Sequence, residues 1–148
     1  MVSTKPIPDG YHTITPYLIV PDVSVMFDFL SRAFNAKRFD WNVGPDGVVS
    51  HASVKIGDSM LMMGAARGPY KPQPTMLYMY VEEVDRVYDA AVVAGGESIQ
   101  EPKHQFYGDR TAAVKDPAGN SWYIATHVEE VHPEELQRRF LAARAQQS

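Results

Sequence analysis

The sequence predicts an α+β fold: two βαβββ units whose eight strands form a curved, mainly antiparallel open sheet with the helices on its outer face. Three observations carry that expectation. Apolar stretches of strand character alternate with segments of helical periodicity in the order strand, helix, strand, strand, strand, and the order occurs twice. Turn signals separate the strands at Pro45-Asp46-Gly47, Gly57-Asp58 and Asp116-Pro117-Ala118-Gly119-Asn120. The halves also share local sequence: Val81-Glu82-Glu83-Val84 answers Val20-Pro21-Asp22-Val23, and Ala112-Ala113-Val114-Lys115 answers Ala52-Ser53-Val54-Lys55. Val20 to Val54 is 34 residues and Val81 to Val114 is 33, the spacing an internal duplication leaves.

Each element has its own signature. Residues 1–10, with Pro6 and Pro8, read as an extended arm. The first unit occupies 11–64. Its opening strand is the apolar run Ile14–Val20, stopped by Pro21-Asp22. A helix over Ser24–Phe34 follows from the spacing of Met26, Phe27, Leu30, Ala33 and Phe34, with Asp22 or Ser24 as cap. Strands are expected at Lys37–Val43, Val48–Ile56 and Ser59–Met63. Residues 65–74, rich in Pro and Gly, form a linker to the second unit, 75–128. There Met76–Val81 is a strand and Val84–Ala94 a helix ended by Gly95-Gly96. Strands at Glu97–Pro102, Arg110–Lys115 and Ser121–Thr126 complete it. Within 129–148 a last helix starts at Pro133, with Glu134 and Glu135 complementing its dipole. Leu136, Phe140 and Ala143, with Leu141 alongside, give that helix an apolar stripe.

Composition narrows the function. The 148 residues are 45% hydrophobic and 22% charged, the balance of a chain that folds around a core. The formal charge is -4 with no basic block, which argues against nucleic-acid binding. With no cysteine, disulfides, thiolate metal sites and cysteine nucleophiles are excluded. No apolar run approaches the ~18 residues of a membrane span, and the polar start lacks a signal-peptide core, so a cytoplasmic protein is expected.

Several segments together resemble one superfamily. They are Thr15-Pro16-Tyr17-Leu18, His51-Ala52, Ile56-Gly57-Asp58-Ser59, Tyr107-Gly108-Asp109-Arg110, Asp116-Pro117-Ala118-Gly119-Asn120-Ser121-Trp122 and Ile124-Ala125-Thr126-His127. The chain is similar to the vicinal-oxygen-chelate superfamily of glyoxalases, bleomycin-resistance proteins and extradiol dioxygenases, and within it to the PhnB-like branch. The resemblance implies a glyoxalase-like fold. It also implies four metal-ligand positions, on the first and last strand of each unit, usually His, Glu or Gln. Counted from the matching motifs, those positions hold Thr15, Met62, Met76 and Tyr123. A hydroxyl, two thioethers and a phenol are poor ligands for Zn, Ni, Mn or Fe, so no metal cofactor is expected.

Strand alternation sorts the other side chains. If the former ligand positions face a cleft, so do Tyr17, His51, Ser53, Lys55, Met60, Tyr78 and Tyr80, while Leu18, Val20, Leu77, Met79, Val81, Trp122 and Ile124 face the core. That makes Thr15, Tyr17, Met62, Met76, Tyr78, Tyr80 and Tyr123 candidate ligand-binding residues. A groove of rings and thioethers suits a flat or apolar small molecule, or is filled by its own side chains. His51 is the candidate for acid–base catalysis. Arg110 is a candidate clamp for an anionic group, although its parity with Ala112 and Val114 aims it at the helices, where an ion pair is the alternative. Trp41 is either a groove wall or an exposed strand residue. His12, His104, His127 and His132 read as surface residues, and Asp109 points away from Arg110.

The expected function is therefore metal-free binding of a small aromatic or apolar molecule. The alternative is an enzyme, lyase-, isomerase- or dioxygenase-like, that uses His51 with a cleft tyrosine or a displaced metal site. The open sheet, the arm and the striped last helix point to a homodimer. The resemblance implies dimers too.

Overall fold

The computed structural model describes residues 4–147. Met1–Ser3 of the expected arm and Ser148 of the last segment lie outside the described residues. The elements run β1 (Tyr17–Val20), α1 (Val23–Phe34), β2 (Lys37–Val43), β3 (Val49–Ile56), β4 (Ser59–Ala65), β5 (Met76–Tyr80), α2 (Val84–Val93), β6 (Glu97–His104), β7 (Asp109–Lys115), β8 (Ser121–His127) and α3 (Pro133–Ala145). The repeated βαβββ order is thus present, and a third helix follows it.

The eight strands divide into two hydrogen-bonded sheets of four, ordered β1-β4-β3-β2 and β5-β8-β7-β6. In both, the first strand lies parallel to the last and the other pairings are antiparallel. The match is residue by residue: Tyr17 stands beside Met62 as Tyr78 stands beside Tyr123. β1 is shorter than the apolar run that announced it. Pro16 has no N–H to give a ladder, and contributes instead its carbonyl, which accepts from Met62 N. The linker turns back on itself through paired Arg67 and Tyr70 and bonds to the edge of β1 through Gln73 N and Ile19 O.

Asp22 caps α1, its carboxylate accepting from Val25 N at 3.0 Å, and Asn35 ends the helix in the left-handed region. The buried face is Val23, Met26, Phe29, Leu30, Ala33 and Phe34. These residues join Leu18, Val20, Ala52, Val54 and Met63 of the first sheet and Ala112, Val114, Trp122 and Ile124 of the second in a single core. The Phe34 and Trp122 rings meet at 4.9 Å across the unit boundary. Gly96 is part of this fit: a Cβ there would lie 2.8 Å from the Ala91 carbonyl oxygen and 3.3 Å from the Phe29 ring. Trp41 packs on the helix side, edge-on to Phe27 at 5.3 Å, with the Arg38 guanidinium 3.7 Å above its ring. It is no groove wall.

Candidate functional site

Core parity leaves the opposite face of each sheet for function. On the first sheet, the Tyr17 ring crosses β4 toward β3, where it lies 5.8 Å from the His51 ring. Gly64 allows this passage, since a Cβ at that position would stand 2.5 Å from the Tyr17 hydroxyl. Asn42 lies on β2 with its amide nitrogen 3.4 Å from His51 Nδ1. Tyr17, His51, Ser50, Gly64, Arg67 and Tyr70 border a cavity of about 470 Å³. Ser53, one alternation along from His51, is fully buried, and its hydroxyl has no hydrogen-bond partner among the described residues.

On the second sheet, three side chains converge on one carboxylate. Asp109 opens β7 and is only 3% exposed. Its Oδ2 accepts from the Tyr78 hydroxyl at 2.7 Å and the Tyr80 hydroxyl at 2.9 Å, and its Oδ1 lies 2.9 Å from His127 Nδ1. The other ring nitrogen of His127 lies 3.1 Å from Glu130 Oε1. An imidazole facing carboxylates through both nitrogens satisfies both only when both carry protons. His127 is accordingly raised above its ordinary value, by Asp109 first and Glu130 second. Burial alone would raise the Asp109 carboxyl, but hydrogen bonds from His127, Tyr78 and Tyr80 outweigh it and hold the group below the usual carboxylate range. The Tyr78 hydroxyl is pushed up by burial and by its bonds to Tyr107 and Asp109, and that of Tyr80 by its bond to Asp109.

The tyrosine rings thus lie anchored across the second sheet. Tyr78 and Tyr123 are parallel, with centroids 6.4 Å apart, and Tyr80 is 5.5 Å from Tyr78. Beneath them Ala125, Thr111 and Ala113 are fully buried although their parity faces the open side. The protein's own rings therefore fill part of the groove. What stays open is a crevice of about 910 Å³ between the units, bordered by the free edge of β5, the C-terminal end of α1 and the β3–β4 turn.

The sequence-derived candidates separate into two groups. Tyr17 and His51 belong to the smaller cavity; Tyr78 and Tyr80 border the crevice, with Met60 and Met79. Tyr123 stays on the ring face, Met76 stands exposed at the start of β5, and Met62 is half-buried on β4. Thr15 precedes β1. Arg110 is removed from the ligand-contacting set. Its guanidinium makes a bidentate ion pair with Asp85 in the first turn of α2, at 2.8 and 2.9 Å, as strand parity requires of a neighbour of Ala112. His127 is no bystander. It shares the parity of Tyr123 and Ala125, and a strand carried one residue further, through His127, would have placed it beside Asp109. Tyr107, on the loop before β7, joins through its hydroxyl 3.2 Å from that of Tyr78.

The four positions where the resemblance places metal ligands do not fit a divalent metal. Their donors are a threonine hydroxyl, two thioethers and a phenol, spread over elements with separate surroundings. Among the described residues, no group of three or more His, Asp or Glu is arranged to hold a metal ion. Among the described residues, no helix is long and apolar enough to cross a membrane.

Comparison with known proteins agrees with this architecture. A family model described as the Glyoxalase/Bleomycin resistance protein/Dioxygenase superfamily matches residues 10–124. An uncharacterized protein of Mycobacterium tuberculosis (strain ATCC 25618 / H37Rv) is 30% identical over 135 residues, covering 84% of this chain and 79% of its own. Among solved structures, TioX from Micromonospora sp. ML1 superimposes with a TM-score of 0.69 at 21% identity, over 79% of this chain and 99% of that one. A glyoxalase-related enzyme from Fulvimarina pelagi gives a TM-score of 0.62 at 17% identity, over 78% and 87% of the two chains. At these identities the two structures testify to the fold alone. The duplicated βαβββ order, the two mixed four-stranded sheets and the family match together place the chain in the glyoxalase/bleomycin resistance protein/dioxygenase superfamily.

Proposed function

We propose that the protein binds a small aromatic or apolar molecule, without a metal, in the crevice between its two units. The observation that supports this reading is the lining: Phe34, Met60, Tyr78, Met79, Tyr80 and Trp122 border about 910 Å³. Ligand sites are usually clefts of about 300–1,000 Å³, apolar or aromatic with a few placed polar groups. The pinned Tyr78 and Tyr80 hydroxyls keep their rings in place before a ligand arrives, so little ordering entropy is lost on binding. Each ring-on-ring contact adds about 0.5–1.5 kcal/mol beyond area burial. Titration with naphthalene or indole derivatives, followed by calorimetry, is expected to show saturable 1:1 binding. A double Tyr78→Ala, Tyr80→Ala variant should weaken it at least tenfold. Binding untouched by both truncations refutes the site.

The alternative, acid–base catalysis by His51, draws on the smaller cavity, where Asn42 occupies Nδ1 and leaves Nε2 to an occupant. Chemical conversion of a bound probe, lost in His51→Gln, would favour it; unchanged recovery of the probe favours binding. We also infer a twofold homodimer. Tyr17, Tyr70, Ile14, Phe140 and Leu141 are exposed apolar surface that a second copy would cover.

A further inference from the structure

We infer that the smaller cavity on the first sheet, bordered by Tyr17, His51, Arg67 and Tyr70, is a second ligand site and takes a small aromatic carboxylate. This site is separate from the crevice and stands without it. The arginines point to it. Every other arginine is engaged: Arg32, Arg86, Arg110, Arg138 and Arg139 by carboxylates, Arg38 and Arg144 by the Trp41 and Phe140 rings. Arg67 alone has a side chain with no hydrogen bond, ion pair or ring partner among the described residues, and it borders the cavity. A tight turn holds it there. Arg67 and Tyr70 exchange both backbone hydrogen bonds at 2.8 Å, and Gly68 between them takes the left-handed conformation, at a φ of 51°. The turn is tied to the first sheet by Ala66 N, which donates to Val20 O at 2.9 Å.

The other polar groups around the cavity can donate. Asn42 meets His51 Nδ1 with its NH2 group, which only donates, so Nδ1 accepts and the neutral ring carries its proton on Nε2. The hydroxyls of Tyr17 and Tyr70 have no hydrogen-bond partner among the described residues. Among those residues, no Asp or Glu borders the cavity. In a chain of formal charge -4, one fixed positive charge here faces no negative one. The guanidinium fork matches the two oxygens of a carboxylate, and a single positive charge balances a monoanion. Tyr17, Tyr70 and Ile19 supply apolar surface for a ring, in a volume of about 470 Å³.

Benzoate, benzamide and benzamidine share one ring and differ in the charge of their polar group. They are titrated at neutral pH into the intact protein and followed by two-dimensional amide NMR. The protein is used in its solution assembly, since Tyr17 and Tyr70 also belong to the face proposed for the homodimer. Benzoate is expected to move the backbone amide signals of His51, Gly64 and Arg67 and to leave those of Met79 and Val81 in the crevice in place. Its affinity should exceed that of benzamide roughly tenfold. That affinity should fall several-fold as NaCl is raised from about 0.05 to about 0.5 M, which screens the charge. In Arg67→Gln the benzoate advantage should disappear while benzamide binds as before. Benzamide or benzamidine binding as tightly as benzoate, or an unchanged benzoate affinity in Arg67→Gln, overturns the carboxylate assignment. No benzoate binding, or shifts confined to the crevice, overturns the site itself and leaves the crevice to its own test. Should the Arg67→Gln chain fail to fold, the ranking of the three probes and the salt dependence in the parent decide.

Discussion

Replacing Asp109 by asparagine removes one charge and almost no volume, and so isolates the acceptor that holds the tyrosine wall. The carboxylate takes hydroxyl protons from Tyr78 at 2.7 Å and Tyr80 at 2.9 Å while being 3% exposed. A hydrogen bond to a charged acceptor contributes about 1.5–3 kcal/mol and one to a neutral acceptor about 0.5–1.5, so neutralisation costs about 1–1.5 kcal/mol for each tyrosine. The new amide must also turn its NH2 toward either the two phenols or His127, leaving a buried mismatch of about 1–3 kcal/mol. Asp109→Asn should therefore lose about 3–6 kcal/mol. At roughly 2–4 °C per kcal/mol in a chain of this size, the Tm should fall by about 10 °C. Calorimetric melting at pH 7 reads the loss, and NMR titration of His127 should show its imidazole titrating at lower pH than in the parent. The parent has its own pH signature. The lowered Asp109 gives stability that is present above its ordinary value of 3.8 and is lost as pH falls through the folded-state value. The raised His127 gives stability that is complete below its ordinary value of 6.5 and is lost as pH rises through the folded-state value. Both limbs should flatten in Asp109→Asn. A loss under about 0.5 kcal/mol with an unmoved His127 would show that the carboxylate does not organise the site.

Two further outcomes are expected. Dialysis against Ni, Zn, Mn or Fe followed by elemental analysis should leave far less than one metal per chain. A stoichiometric ion held by Thr15, Met62, Met76 or Tyr123 would contradict the donor-set argument. Light scattering at micromolar concentration should give about twice 16.5 kDa, and a clean single-chain mass would remove the homodimer.

Much of the fold was legible because its signals are local. The Lys37–Val43 strand, the Asp22 cap and the alternation that sends Leu18 and Trp122 inward all follow from neighbours in the chain. Strand ends were less legible. β6 continues through Pro102 to His104, because it is an edge strand with register shifts and a proline there breaks no essential bond. The site depended on those ends. β7 begins at Asp109 and β8 finishes at His127, facing each other in register, and both lie just beyond the segments whose periodicity marks them as strands. Which acceptor the Tyr78 and Tyr80 hydroxyls choose is set by the reach of a phenol across β8, a distance that no pattern along the chain encodes. The division of the eight strands into two hydrogen-bonded sheets of four is likewise something that side-chain alternation does not specify.

The contact between Phe34 and Trp122 has a consequence for the ancestry of the chain. A repeated unit of this size cannot bury its apolar face alone. Here the halves share one interior: their two helices pack against each other, Phe34 of the first meets Trp122 of the second, and Gly96 has no side chain where Phe29 of the opposite half lies close. Severed at the linker, either piece would carry a raw hydrophobic wound and be drawn to its missing counterpart. What began as repetition has become mutual dependence, so the two copies are now free to diverge in what they hold but bound to persist together.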